Sequence, residues 1–126
     1  MNNTDLRRVL DVDPAIRYAA TNRSGRVEMV ERQDISSPSD SGSDRYEELF
    51  VNPALICLAE SRGNLDCGGL SHIIIRYGNF WQAIIPLDEG HISIAIELHA
   101  DFPRIVASLL ETLPSLGFVP RYPLKG

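Results

Sequence analysis

The clearest structural signal in the sequence is the stretch LSHIIIRYGNFWQAIIPLDEGHISIAIEL, residues 70–98. It contains three runs rich in Ile and aromatic residues: 70–77, 80–86 and 91–98. Gly78-Asn79 joins the first two runs, and such a two-residue connection is a strong hairpin signal. A second turn, ending at Gly90, joins the next two. The stretch therefore predicts three antiparallel strands in a meander.

Two further strands are predicted upstream, over residues 16–21 and 27–32. The segment 22–25 between them has the composition of a turn and ends in Gly25, which can adopt a positive φ angle without a steric penalty. These segments predict an antiparallel hairpin, so that the sheet would have five strands.

A helix is predicted in the middle of the chain, opening at Asp44 with Glu47 in a capping-box arrangement. Its buried stripe is expected to consist of apolar residues at helical spacing: Leu49, Phe50, Ala54, Cys57 and Leu58. Pro53 predicts either a kink or a restart of this helix. Gly63 is expected to end it in a left-handed conformation.

Shorter helices are predicted near both ends of the chain. Thr4-Asp5 would cap the first, and Asp101 would cap the last, which Pro114 stops. The apolar stripe of the last helix comprises Ile105, Val106, Leu109, Leu110 and Leu113. The resulting order is α-β-β-α-β-β-β-α. This is an α+β fold in which helices cover a five-stranded antiparallel sheet.

The 126 residues suffice for one ordinary core but not for two, so a single domain over residues 1–126 is predicted. The Ser-rich segment 34–44 is expected to be a mobile loop within this domain. The Pro-rich segment 114–126 is expected to be an extended tail, frayed or docked on the surface.

The composition narrows the possible functions. A net charge of −5 disfavours a general nucleic-acid binder, because that role needs a basic surface. The apolar runs are far shorter than the ~18 residues that span a membrane, and the first residues lack a secretory signal. Cys57 and Cys67 are interpreted as reduced thiols. A cytoplasmic protein without membrane insertion is therefore expected.

The residues that could carry catalysis or bind a metal form no recognised pattern. Cys67, His72, His91 and His99 lack the spacing of a zinc site, and the histidines are expected to have separate surface or capping roles. Cys57 is expected to be buried, and Cys67 to be unreactive because its acidic neighbour disfavours a thiolate.

Other polar segments also receive an ordinary interpretation. Residues 64–69 could suggest a phosphate loop, but they lead into a strand rather than a helix and are therefore interpreted as a connector. The alternative to the connector is an unusual binding loop. Four acidic residues are predicted to be solvated: Glu28, Glu31, Asp34 and Glu47. The sequence thus predicts no catalytic residue, no metal site and no cofactor.

The element order, together with Asn22-Arg23-Ser24-Gly25-Arg26-Val27, is similar to the Roadblock (dynein light chain) family. The likeness extends over IIIRYG at 73–78, PLDEG at 86–90, the alternating strand, and the helix opened by His99-Ala100-Asp101. The resemblance implies a profilin-like five-stranded sheet that pairs through its edge into a homodimer. It also implies a non-catalytic platform, often for small Ras-like GTPases or for motor and signalling assemblies.

Residues 70–77 would lie at one edge of such a sheet. The run Ile73-Ile74-Ile75 is apolar on both faces and has no Pro or Lys to protect it, so it invites pairing with another strand. Homodimerisation along this edge is predicted, and the alternative is that a helix or the tail of the same chain covers it. The predicted interface residues are Leu55, Leu58, Leu70, His72, Ile73, Ile74, Ile75 and Arg76.

Aromatic residues next to Arg76 are candidates for contact with another protein, because aromatic side chains and Arg are enriched at binding hot spots. The predicted partner-binding residues are Tyr77, Phe80 and Trp81, with one of the last two expected to face the core. The resulting hypothesis is a homodimeric, non-enzymatic interaction module, a scaffold or regulator of a small Ras-like GTPase. The alternative is a PAS- or GAF-like domain that senses a small molecule in a cavity between sheet and helices.

Overall fold

The computed structural model describes residues 3–33 and 40–122. Its helices are α1 (Asn3–Leu10), α2 (Ser41–Tyr46), α3 (Asn52–Asp66) and α4 (Phe102–Thr112). Its strands are β1 (Ile16–Arg23), β2 (Arg26–Glu31), β3 (Ile73–Arg76), β4 (Phe80–Pro86) and β5 (His91–Glu97). A π-helical segment (Glu47–Val51) joins α2 to α3, and a 3-10 helix (Leu113–Leu116) follows α4.

The five strands form one antiparallel sheet in the order β2-β1-β5-β4-β3. This confirms the α+β fold with a five-stranded antiparallel sheet. The meander β3-β4-β5 forms one half of the sheet, and β1 pairs with β5, which brings the N-terminal hairpin alongside. As predicted, β3 lies at one edge, and β2 lies at the other.

Two turns set the geometry at one end of the sheet. The β1–β2 turn holds Ser24 and Gly25 at φ angles of 54° and 84°, a left-handed pair that matches the twist of a tight hairpin. Gly90 in the β4–β5 turn has a φ angle of 71°, and a Cβ atom there would lie 1.7 Å from the Asn22 carbonyl oxygen. Position 90 therefore needs glycine for its conformation and for the close approach of β1.

The apolar core lies on the sheet face that α1 and α4 cover. Because side chains alternate along β5, Ile92, Ile94 and Ile96 all point into this core. Its other fully buried large residues include Leu6, Val9, Ile105, Leu109, Leu113 and Phe118. Burial of these aliphatic side chains is the main favourable contribution to folding.

The opposite face of the sheet is covered by the long helix formed by α2, the π-helical segment and α3. The residues that this helix buries are Glu48, Asn52, Ile56 and Gly63. The predicted apolar stripe is therefore wrong: Phe50, Cys57 and Leu58 are exposed. Of these four residues only Ile56 is a large apolar one; a hydrophobic pattern alone assigns Glu48 and Asn52 to the solvent side.

The long helix also begins and ends elsewhere than predicted. Its N-cap is Asp40 rather than Asp44, and the Asp40 side chain accepts a hydrogen bond from the Ser43 amide at 2.9 Å. The interruption expected at Pro53 takes the form of the π-helical segment just before it. Gly63 lies inside α3, and the left-handed glycines are Gly68 and Gly69 beyond its end.

The C-terminal segment is docked rather than extended throughout. After the 3-10 helix, Phe118 returns to the core, and its side chain is fully buried. The Asp88 amide donates to the Val119 carbonyl at 2.9 Å, and the Arg121 amide donates to the Pro86 carbonyl at 2.8 Å. Residues 123–126 of the predicted tail and residues 34–39 of the predicted loop lie outside the described residues, while residues 40–44 belong to the start of the long helix.

Candidate interaction surface

The outer side of β3 carries unpaired backbone groups. The Tyr77 amide donates to the Phe80 carbonyl at 3.0 Å, which closes the hairpin with β4. Because hydrogen-bonded and non-bonded pairs alternate along an antiparallel ladder, residues 73 and 75 bond inward. The N–H and C=O groups of Ile74 and Arg76 therefore point away from β4, on a side where no other described strand pairs with β3.

The side chains of β3 divide between the two faces of the sheet. Ile74 pairs with Ala83 and packs against the apolar core, whereas Ile73 and Ile75 pair with Ile84 and Gln82 on the face of the long helix. All three Ile side chains of β3 remain half-exposed. An edge strand with apolar groups on both faces is a common site of strand pairing between chains.

A groove of about 290 Å³ runs between β3 and α4. Its floor and walls are almost entirely apolar, and they consist of His72, Ile74, Phe102, Pro103, Val106, Ala107 and Leu110. At the edge, the His72 Nδ1 atom lies 2.8 Å from the Ser71 hydroxyl, and partial burial lowers the pKa of the His72 imidazole. The groove thus borders the edge strand β3.

The predicted partner-binding aromatic residues lie on both faces of the sheet. Trp81 stacks on Phe102 of α4, with 4.0 Å between ring centroids, and belongs to the apolar-core face. Phe80 packs on the other face with Tyr18 and lies 5.5 Å from the Tyr77 ring. Both residues are half-buried: Trp81 packs against the apolar core, and Phe80 packs on the opposite face.

Tyr77 connects the β3–β4 hairpin to the long helix. Its hydroxyl donates to the Glu47 carboxylate at 3.0 Å. Burial, with a further contribution from Glu47, raises the pKa of Tyr77 to about 12, and burial also raises the pKa of the Glu47 carboxyl. Glu47 is therefore half-buried and hydrogen-bonded rather than solvated as predicted, while Asp34 lies outside the described residues.

The long helix exposes four large apolar side chains to solvent. Leu58 and Leu65 are 72% and 77% exposed, and Tyr46 and Phe50 are exposed with their rings 5.2 Å apart. Leu55, predicted for the interface together with Leu58, is half-buried. Several large exposed apolar residues along one helix are typical of a surface that contacts another protein.

Sequence reasoning missed the polar cluster around Glu48 that holds this helix to the sheet. The Glu48 side chain is fully buried, and its Oε1 atom lies 2.7 Å from His91 Nε2 and accepts from Asn52 Nδ2 at 3.0 Å. Its Oε2 atom accepts from the Tyr18 hydroxyl at 3.1 Å and from the Ser93 hydroxyl at 2.5 Å. The available signal was that His91 and Ser93 alternate with Ile residues along one strand.

The surroundings of Glu48 favour an anchoring role over a chemical one. His91, expected at the surface or in a cap, is only 2% exposed. Ser93 donates to Glu48, and no hydrogen bond joins Ser93 to His91 among the described residues, so the nucleophile–base contact of a catalytic triad is lacking. Burial, together with the Glu48 carboxylate, raises the pKa of Tyr18 well above its ordinary value.

A cleft of about 470 Å³ near this cluster lies between α3 and the turns of the sheet. Its polar side chains bond to the protein itself: Asn22 to the Glu48 carbonyl and the Gly25 amide, and Arg121 to Glu60 and two backbone carbonyls. Among the described residues, no group of three or more His, Cys, Asp or Glu side chains could hold a metal ion.

No family model matches the sequence, and no curated protein is significantly similar to it. The structure, in contrast, resembles a Roadblock/LC7 domain from Streptomyces avermitilis with a TM-score of 0.70 at 12% identity. The similarity covers 92% of this chain and 94% of that one. The chain has a Roadblock/LC7 fold.

Two other structures share the Roadblock/LC7 fold. The gliding protein MglB from Thermus thermophilus is 14% identical, with a TM-score of 0.65 over 90% of this chain and 84% of that one. MglB in a tetrameric arrangement is 14% identical, with a TM-score of 0.67 over 90% and 83%. Within the described part of the chain, no helix is both long enough and apolar enough to cross a membrane.

Proposed function

We propose that this protein is a non-catalytic, homodimeric interaction module, in which two copies pair through β3. The observation that carries the proposal is the free side of β3, where backbone groups of Ile74 and Arg76 point outward between two half-exposed apolar faces. Pairing with a second copy would satisfy these groups and cover the Ile side chains. The tetrameric arrangement of an MglB with this fold supports self-association.

In this proposal the dimer interface consists of the edge strand β3, the residues just before it in the chain, and part of α3. It comprises Leu55, Leu58, Leu70, His72, Ile73, Ile74, Ile75 and Arg76. The whole chain of residues 1–126 would act as one domain in the cytoplasm.

We further propose that the dimer presents the exposed apolar residues of the long helix outside the dimer interface, namely Tyr46, Phe50 and Leu65, together with Tyr77, Phe80 and Trp81, to another protein. The similarity to the Roadblock family suggests a small Ras-like GTPase as that partner, with this protein as scaffold or regulator. A non-catalytic role is supported by the Glu48 cluster, because its polar groups are buried and bonded to one another.

The test is the mass of the protein in solution, measured by light scattering across micromolar concentrations. We expect twice the 14.0 kDa chain mass for the native protein and the monomer mass for Ile74→Lys. Val27→Lys on the opposite edge strand β2 is the matched control and should remain dimeric. Circular dichroism verifies that each variant is folded. A native protein that is monomeric throughout would overturn the proposal.

Partner binding is tested separately, with immobilised protein and purified small GTPases in their GDP and GTP states. Leu65→Asp should weaken capture while leaving the dimer mass unchanged, since Leu65 lies outside the proposed dimer interface. Absence of binding to every GTPase would remove the partner assignment and leave the dimer proposal intact.

A further inference from the structure

The free side of β3 restricts how two copies can pair. The backbone N–H and C=O groups of Ile74 and Arg76 point outward, away from β4. If the strand is extended by one residue, the same alternation makes the backbone groups of His72 point outward as well, and these three residues form the outward row. When two copies pair antiparallel about a two-fold axis, the backbone hydrogen bonds must join residues of this outward row in one copy to residues of the same row in the other. The two-fold centre can therefore be any residue of β3, from 73 to 76, and a centre at residue 76 is disfavoured because it places Arg76 opposite the partner's Arg76.

These registers differ in how well their side chains match. A centre at Ile74 places Ile74 opposite the partner's Ile74 and Ile73 opposite the partner's Ile75, so that only Ile side chains meet in the middle. A centre at Ile75 instead places Ile74 opposite the charged Arg76 of the partner and Ile73 opposite the partner's Tyr77. A centre at Ile73 leaves Arg76 beyond the pairing and places Ile74 opposite the partner's His72. Cross-strand apolar pairs favour the centre at Ile74.

We infer, resting on the proposed homodimer, that the two β3 strands pair with Ile74 at the two-fold axis. This register places His72 opposite the partner's Arg76, so that dimerisation weakens when His72 is protonated. The two apolar grooves between β3 and α4 would then meet across the axis as one continuous apolar seam, lined on each side by Ile74 and residues of α4.

The described residues packed beside His72 carry no charge, so the partner's Arg76 would be the principal charge acting on it. From α4, the groove residues beside His72 are Phe102, Pro103, Val106, Ala107 and Leu110, which carry no charge. From β4, the strand positions on this face hold Trp81, Ala83 and Ile85. On its own segment, His72 contacts the Ser71 hydroxyl. Arg76 is exposed; its guanidinium donates to the Tyr77 carbonyl at 2.6 Å and lies 5.7 Å from the centroid of the Trp81 ring, on the groove face of the sheet.

The sign of the pH dependence follows from this geometry. Partial burial already lowers the pKa of His72 from 6.5, so the imidazole is neutral at pH 7.5. The partner's Arg76 would disfavour the imidazolium further, and the dimer would bind fewer protons than two monomers. Raising the pH therefore favours the dimer, and lowering it through the reduced pKa of His72 favours the monomer.

The experiment measures the dimer dissociation constant by sedimentation between pH 7.5 and 5.5. We expect the constant to rise about tenfold or more for the native protein as the pH falls, since two imidazoles titrate per dimer. His72→Gln and Arg76→Gln should each remove most of this rise, while His99→Gln, at an exposed position outside β3, should retain it. A pH-independent dimer, or the same rise in His72→Gln, would overturn the inference.

The register itself is tested in a Cys57→Ser/Cys67→Ser background. Ile74→Cys should form an intermolecular disulfide under mild oxidation, because opposed residues of a bonded pair lie about 5.5 Å apart between Cα atoms. Efficient cross-linking of Ile75→Cys in its place would establish the competing register. If the native protein is monomeric at every pH, the proposed homodimer itself is wrong. If it is a dimer whose dissociation constant does not change with pH, the homodimer stands and only the inference about His72 is wrong.

Discussion

Glu48 Oε1 lies 2.7 Å from His91 Nε2, and both side chains are almost completely buried between the long helix and the sheet. This contact belongs to a cluster in which the Glu48 carboxylate also accepts hydrogen bonds from Tyr18, Ser93 and Asn52. One side of the sheet is thus joined to its helix mainly by polar contacts, whereas the other side is joined to α1 and α4 by an aliphatic core. This arrangement leaves the apolar residues of the long helix free to face outward.

Replacing Glu48 should destabilise the fold strongly. Glu48→Ala would leave the buried hydroxyls of Tyr18 and Ser93 without their acceptor, and we expect a loss of about 3 kcal/mol in the free energy of unfolding. Urea denaturation provides the measurement. Glu111→Ala, at an exposed position of α4, is the control and should change the free energy by less than about 0.5 kcal/mol. Equal effects of the two substitutions would contradict an anchoring role for Glu48.

Leucine-to-alanine substitutions should lower stability when the leucine lies in the core and should weaken partner binding when it lies on the exposed surface of the long helix. Leu109 is fully buried, so Leu109→Ala should cost about 2–5 kcal/mol in urea denaturation. Leu65 is 77% exposed, so Leu65→Ala should cost less than about 0.5 kcal/mol while weakening capture of the partner. A large loss of stability in Leu65→Ala would show that its side chain is buried in solution.

Glycine substitutions should distinguish the two hairpin turns of the meander. Gly90→Ala places a methyl group against the Asn22 carbonyl at a positive φ angle, and we expect a loss of about 2 kcal/mol or more. Gly78→Ala meets no atom within 4 Å and should change the melting temperature little. Differential scanning calorimetry compares the two variants. A tolerated Gly90→Ala would exclude the close approach of β1 to this turn.

Tyr77 should make the protein sensitive to alkali. Its pKa is raised to about 12 in the folded state by burial and by Glu47, while the unfolded chain has the ordinary value of 10. The unfolded state therefore releases this proton first, so the contribution to stability is complete below pH 10 and is lost as the pH rises toward 12. Tyr77→Phe should show a shallower fall in melting temperature between about pH 9.5 and 11.5. Tyr46→Phe, at an exposed tyrosine, should behave like the native protein.

The strand meander could be predicted because its evidence is local. The alternation of β5 and the two turns specify strand boundaries over short distances, and the apolar stripe of α4 specifies its buried face. The edge position of β3 followed from combining these elements with a resemblance to a known sheet order.

The long helix could not be predicted correctly, because its polar residues face inward. Hydrophobic spacing selects Phe50 and Leu58 for the core, but Glu48 and Asn52 occupy the positions that face the sheet. Only the arrival of His91 and Ser93 from β5, more than forty residues further along the chain, supplies the hydrogen bonds that make this burial favourable.

Short-range patterns in the chain are therefore sufficient for the strands, the turns and the helix α4, because each depends on neighbouring residues. The three-dimensional arrangement alone assigns the faces of the long helix, the return of Phe118 to the core and the open row of β3. The physical reason is that a polar group can be buried favourably only where hydrogen-bond partners from distant parts of the chain meet it. Likewise, a strand is an edge strand only because no other strand lies on one of its sides, and this depends on the order of the whole sheet.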